Sequence, residues 1–193
     1  MKLVIINYGA GNIQSIKFAF QRLGVDAVLS DDITTIQNAD KVIFPGVGEA
    51  SSAMSKLWES GLHDSIAQLQ QPVLGICLGM QLMCNSSEEG GTKGLGIFDT
   101  EVVKFTSSLK VPQIGWNKIE NLQSPLFKGL QEDFIYLVHS FYAPKAAETI
   151  ATSTYGLTYS AALHKDNFYG VQFHPESILT PDGLKMIRNF LFE

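Results

Sequence analysis

Cysteine is scarce in this chain. Its 193 residues hold only two, Cys77 and Cys84. Neither belongs to a Cys-x-x-Cys pair and no histidine stands at ligand spacing from them, which argues against a disulfide framework, a structural zinc site or any other metal centre. Long hydrophobic runs are also missing. The opening residues MKLVIINYGAGN contain one apolar stretch, Leu3 to Ile6, too short for a signal-peptide core or a membrane span. No membrane association is expected, and a cytoplasmic location, where thiols stay reduced. Fourteen basic residues face nineteen acidic ones, for a net charge of −5, and form no stripe. Nucleic acid as a partner therefore lacks its electrostatic footprint. Repeats, low-complexity tracts and linkers are absent as well. This length makes one domain, residues 1–193, the natural expectation. A hydrophobic content of 45% is that of an ordinary globular core.

What the chain does contain is an alternation of short buried-type strands and amphipathic stretches. KLVIIN (2–7), DAVLS (26–30), DKVIFPG (40–46) and PVLGI (72–76) read as strands. IQSIKFAFQRLG (13–24), EASSAMSKLWESGLHDSIAQL (49–69) and LGMQLMCN (78–85) read as helices, the second broken at Gly61. Such a rhythm predicts an α/β fold whose mostly parallel sheet carries helices on both faces. SSEEGGTKGLG (86–96) reads as a glycine-rich loop. Short strands follow, in EVVKF, NKIEN and FIYLVHSF, and form a smaller antiparallel portion. SAALHKDNFYGVQF (160–173) reads as a hairpin turning near Lys165–Asn167, and PDGLKMIRNFLF (181–192) as a closing helix.

Cys77 sits in GICLG, between Gly75 and Gly79, where a strand hands over to a helix. The pattern is that of a nucleophile elbow with sulfur in place of hydroxyl. A nucleophile on so tight a turn needs neighbours without bulk. The helix N-terminus, with its free N–H groups, favours a thiolate. Cys84, beside Leu82 and Met83, reads as core.

A cysteine nucleophile needs a base. His63 and His164 read as solvent-facing, and His139 follows the apolar run FIYLV. His174, in YGVQFHPES, stands at the end of a strand, as Cys77 does, and sites collect at strand carboxyl ends in parallel sheets. Glu176, two residues on, can hold the imidazole in one tautomer and stabilise its cation. FPGVGEA (44–50) joins a strand to a helix through glycines. Backbone N–H groups of Val47 or Gly48, with that of Leu78, are the candidate oxyanion donors. NYGAGNIQ (7–14) begins like a dinucleotide fingerprint, with Gly9, Gly11 and an acid at Asp31. Gln14 occupies the third glycine position, where close helix–strand packing is required.

GICLGMQ, FPGVG and VQFHPE, in that order over nearly the whole chain, resemble the class I (triad) glutamine amidotransferases. The resemblance implies a flavodoxin-like core and a reaction needing neither metal nor organic cofactor. Cys77 would attack the glutamine side-chain amide to form a thioester, with His174 as base and then as acid toward departing ammonia. By the same matching Gly46, Gln81 and Glu89 would bind glutamine, with Ser140 and Phe141 lining the other side. Phe141 stands where tyrosine is common. NYGAGNIQS, PGVG, GLG (94–96), PQIGWN (112–117) and VHSFY (138–142) resemble more narrowly the glutaminase subunits of imidazole glycerol phosphate synthases, from histidine biosynthesis. That implies a heterodimer with a (β/α)8-barrel cyclase subunit, which uses the ammonia to make imidazole glycerol phosphate and AICAR. Ammonia released into water is protonated and diluted, so the partner should dock on the rim carrying Cys77 and His174. Trp116, read in a loop rich in Gly, Asn and Gln, is the anchor expected there, and Asn12 a lesser contact; core packing is the competing reading for Trp116. The alternatives are the glutaminase subunit of another synthase such as anthranilate synthase, a stand-alone cysteine hydrolase, and a noncatalytic nucleotide-binding module.

Overall fold

A computed structural model describes residues 1–106 and 108–193. In chain order the elements are β1 (Leu3–Ile6), α1 (Ile13–Arg22), β2 (Ala27–Ser30), α2 (Ile33–Gln37), β3 (Lys41–Phe44), α3 (Ala50–Glu59), α4 (His63–Ile66), β4 (Val73–Ile76), α5 (Leu78–Leu82), β5 (Cys84–Ser87), β6 (Thr92–Lys93), β7 (Phe98–Lys104), β8 (Gln113–Lys118), β9 (Phe134–His139), β10 (Phe141–Tyr142), β11 (Thr149–Thr154), β12 (Thr158–Lys165), β13 (Phe168–Val171) and α6 (Gly183–Phe192). The central sheet has seven strands in the order β11-β12-β13-β4-β3-β1-β2. From β2 to β13 every pairing is parallel, while β11 and β12 extend the edge antiparallel. Taking its five parallel strands alone, the order is the 2-1-3-4-5 of the flavodoxin-like doubly wound fold.

Alternation along the strands explains the layering. Val4, Ile6, Val42, Phe44 and Val73 face one apolar cluster, which also takes Met54 and Leu57 of α3 and Met80 of α5. Leu3, Ile5, Ile43, Leu74, Ile76 and Val171 face the other, with Ile16 and Phe20 of α1 and Met186, Ile187 and Phe190 of α6. Every residue of β1 is fully buried, each aliphatic side chain contributing about 1.5–3 kcal/mol over exposure. This two-sided burial is why the strands read as continuous apolar runs.

Four details differ from the sequence reading. The helix after Cys77 stops at Leu82, and Cys84–Ser87 form β5, which pairs with β6 and β7. Cys84 is core as expected, fully buried, but on a strand. PQIGWN is not a loop: Gln113–Asn117 lie in β8, paired antiparallel with β9, Trp116 opposite Tyr136. The structure adds α2 and β11, whose Thr, Ser and Ala residues carry little hydrophobic signal. Among the described residues no helix is long and apolar enough to cross a membrane.

Candidate active site

The carboxyl ends of β3, β4 and β13 lie side by side in the sheet, and the next residues of each carry PGVG, Cys77 and His174. The backbone N–H of Cys77 donates to Val171 O at 2.8 Å, carrying the β4–β13 pairing one residue past the strand. Cys77 then turns sharply, with φ 54° and ψ −111°. An L-residue held there stores about 1–3 kcal/mol of strain, a cost that persists only where the surroundings enforce it. The flanking glycines do so. A Cβ on Gly79 would overlap the carbonyl oxygen of Phe44, at the end of β3, and one on Gly75 would overlap Met83. The elbow thus packs directly against the neighbouring strand end.

His174 is fixed at three points. Its backbone N–H donates to Tyr136 O of β9 at 3.3 Å. Its carbonyl accepts from Thr180 Oγ1 at 2.8 Å, and Nδ1 lies 2.8 Å from Oε1 of the buried Glu176. Cys77 lines the same cavity as His174. Burial alone would disfavour the imidazolium, but bonds to Cys77 and Glu176, and their charges, outweigh it and push the His174 pKa up to about 10.

These groups open on a cavity of about 280 Å3. Val47, Gly48 and Leu78 line it beside Cys77 and His174, Gln81 and Glu89 line it too, and Ser140 and Phe141 close the other side. Gly46 lies behind this wall, its Cα facing the Leu78–Gly79 backbone so closely that no Cβ fits. The Gln81 side chain donates to Phe141 O at 2.9 Å. Glu89 Oε2 accepts from the N–H of Ala50, the first residue of α3, at 2.8 Å, and burial pushes its pKa up.

Three further residues support the site. The Tyr8 hydroxyl donates to Pro45 O at 2.7 Å, tying the end of β1 to the PGVG loop. Gln172, fully buried, donates from Nε2 to Cys77 Sγ at 3.7 Å; the only sequence signal for it is a glutamine at the end of an otherwise apolar strand. His139 also lines the cavity, but burial pushes its pKa down to about 4. Neutral, it donates from Nδ1 to Phe141 O at 2.8 Å and so braces the far wall. His63 packs on Trp58 and His164 on Tyr169, and neither lines this cavity.

A second cavity, of about 530 Å3, adjoins the first. The two share Val47, Val138 and His174 as walls. Asn12, Phe18, Tyr136, Glu176 and Ile178 line the second, Phe18 and Ile178 more than half exposed. Trp116 is not core: its ring lies edge-on to Tyr136, and its Nε1 donates to Leu179 O at 2.7 Å. Asn12 caps α1, its Oδ1 accepting from Ser15 N at 3.4 Å.

The chain is similar to known proteins. The profile of the glutamine amidotransferase class-I family matches residues 4–193. The imidazole glycerol phosphate synthase subunit HisH of Bacteroides fragilis (strain YCH46) is 54% identical, over 99% of both chains. That of Haemophilus influenzae is 43% identical, over 99% of this chain and 97% of its own. Among solved structures, a putative GMP synthase subunit from Thermoplasma acidophilum superposes with a TM-score of 0.77 at 22% identity, covering 99% of this chain and 92% of that one. A structure described as a glutamine amidotransferase gives 0.76 at 19% identity, over 97% and 96%. These two speak to the fold alone. The chain belongs to the class-I glutamine amidotransferase family, in the branch formed by the HisH subunits of imidazole glycerol phosphate synthase.

Proposed function

We propose that residues 1–193 act as one amidotransferase domain that hydrolyses glutamine and passes the ammonia to a cyclase subunit, for the synthesis of imidazole glycerol phosphate in histidine biosynthesis. The Cys77 thiolate attacks the side-chain amide carbon of glutamine. The tetrahedral oxyanion takes N–H donors from Leu78 and from Val47 or Gly48. His174 gives its proton to the departing nitrogen, which leaves as ammonia, and Cys77 keeps the acyl group as a thioester. His174, now neutral, takes a proton from water, whose oxygen displaces the thiolate and releases glutamate. Glu176 holds the imidazole by Nδ1 throughout. Glu89 meets the ammonium of the substrate, Gln81 meets its polar groups, and the Ser140–Phe141 backbone and the loop at Gly46 complete the binding walls.

The observation that carries the partner is the wall shared by the two cavities. Ammonia freed at Cys77 would stand one side chain, His174, from a second cavity, which the exposed Phe18 and Ile178 border. Ile114, Trp116 and Val138 are exposed on the neighbouring ribbon, where Ile114 pairs with Val138. Exposed apolar surface of this kind marks an interaction site. We assign it to the cyclase, a (β/α)8 barrel forming a heterodimer with this chain in the cytoplasm, with Trp116 as anchor and Asn12 at the edge. Glutamate release should rise on adding the cyclase subunit with its nucleotide ligand, in a one-to-one complex by calorimetry. No association and no stimulation would overturn the partner while leaving the glutaminase chemistry standing.

A further inference from the structure

Gln172 belongs to none of the roles above, yet it touches the nucleophile. It follows β13 directly and is fully buried. Its backbone N–H donates to Ala161 O at 2.9 Å, and the preceding carbonyl, Val171 O, accepts from Cys77 N. The two backbones thus run alongside each other at the elbow. Its carboxamide spans the space between Gln81 and Cys77: Oε1 accepts from Gln81 Nε2 at 2.8 Å, and Nε2 faces Cys77 Sγ at 3.7 Å.

Which end of a carboxamide is nitrogen is normally settled only by its partners. Here a backbone carbonyl settles it. Phe141 O can only accept, so the Gln81 atom 2.9 Å away must be nitrogen. That nitrogen has a second hydrogen, whose partner at 2.8 Å must be an acceptor, so it is Oε1 of Gln172. Nε2 of Gln172 is then left to face sulfur, as a donor. The direction runs from Phe141 O through two side chains to Cys77, with no freedom to reverse. A donor aimed at sulfur favours the thiolate, which can only accept, over the thiol, which must also place its own proton.

We infer that Gln172 is a positioning residue that holds Cys77 as an oriented thiolate, and that the same amide chain turns Gln81 Oε1 toward the substrate cavity. Among the described residues no protein group donates to that oxygen, so it is free to accept an N–H from glutamine. The binding wall and the nucleophile are thereby one hydrogen-bonded unit. This deepens the glutaminase reading and rests on it for the role of Gln81.

Alkylation of Cys77 by iodoacetamide across pH, read on the Cys77 peptide by mass spectrometry, tests the thiolate directly and requires no glutaminase activity. In Gln172→Met the N–H donor is lost without adding charge, and the pH midpoint should rise by about one unit, the size of a hydrogen bond to a charged group. In Gln172→Glu a carboxylate faces sulfur, and the midpoint should rise further. Circular dichroism checks folding; if the glutamate variant does not fold, the methionine variant decides alone. A wild-type midpoint in folded Gln172→Met would overturn the inference. Failure of the wild type to release glutamate, with the midpoint shift intact, would instead overturn the glutaminase reading and leave Gln172 in place.

Discussion

Nδ1 of His174 lies 2.8 Å from Oε1 of Glu176, two residues along the chain, and His174 shares a cavity wall with Cys77. One imidazole thus stands between Cys77, just past β4, and a carboxylate beyond β13, the arrangement of the proposed nucleophile, base and orienting acid. His174→Ala should lower glutamine turnover by about 10²–10⁴-fold, the usual worth of a positioned acid–base group. Glu176→Gln should cost less, because an amide oxygen still accepts from Nδ1. Steady-state glutamate release compares them, and equal rates in wild type and His174→Ala would remove His174 from the mechanism.

The same pair makes stability depend on pH. The His174 pKa in the folded chain, about 10, lies above the ordinary histidine value. Its contribution is complete below about pH 6.5 and is lost as pH rises toward the folded value. Urea unfolding at about pH 6.5 and about pH 9.5 should show a larger loss in wild type than in His174→Ala. Parallel losses would mean that His174 is not held as a cation.

Glu89 tethers α3, and one substitution separates that from its proposed contact with the substrate. Glu89→Gln keeps an acceptor for the Ala50 N–H and removes the charge offered to the substrate ammonium. KM for glutamine should rise by about tenfold or more, with the melting temperature little changed. An unchanged KM would leave Glu89 as a tether of α3 only.

The glycines at the elbow are a packing requirement. Gly79→Ala sets a methyl group into the carbonyl of Phe44, and should cost about 1–3 kcal/mol or more by overpacking. Thermal unfolding measures it. A melting temperature equal to wild type would mean that the contact between elbow and β3 is looser than it stands here.

How much of this is legible in the sequence follows from the physics of each element. The inner strands β1, β3 and β4 announce themselves because both faces are buried and nearly every residue is apolar. Cys77, His174 and Glu176 stand at strand ends in short motifs, where local spacing carries the geometry. Gln172 does not: its meaning lies in Gln81 and Cys77, distant in the chain, and a buried glutamine in VQF reads as one more strand residue. The helix after Cys77 reads too long because LGMQLMCN is largely apolar, and pairing with β6 and β7 draws Cys84–Ser87 into a strand. Gly115 and its asparagine and glutamine neighbours make PQIGWN look like a loop, although β9 pairs with it residue by residue. The exposure of Trp116 depends on that ribbon, and local sequence carries no sign of which strand β8 pairs with.

That exposure yields a prediction for the partner. Trp116→Ala should weaken association with the cyclase by about 30-fold, as loss of a hot-spot residue does, and leave the melting temperature of the free chain within a few degrees. Asn12→Ala should weaken it less, and should also cost about 1 kcal/mol of stability through its cap on α1. Calorimetric titration against the cyclase reads both. Unchanged affinity in Trp116→Ala would move the interface to another face.

The most direct test of the central claim is Cys77→Ser in complex with the cyclase, assayed for product with glutamine and, separately, with ammonium salt as nitrogen source. No product is expected from glutamine, because a serine hydroxyl lacks the ready thiolate, and near-normal product is expected from ammonium. Near-normal turnover of glutamine by Cys77→Ser, with loss of it in Cys84→Ser, would contradict the assignment of Cys77 as nucleophile.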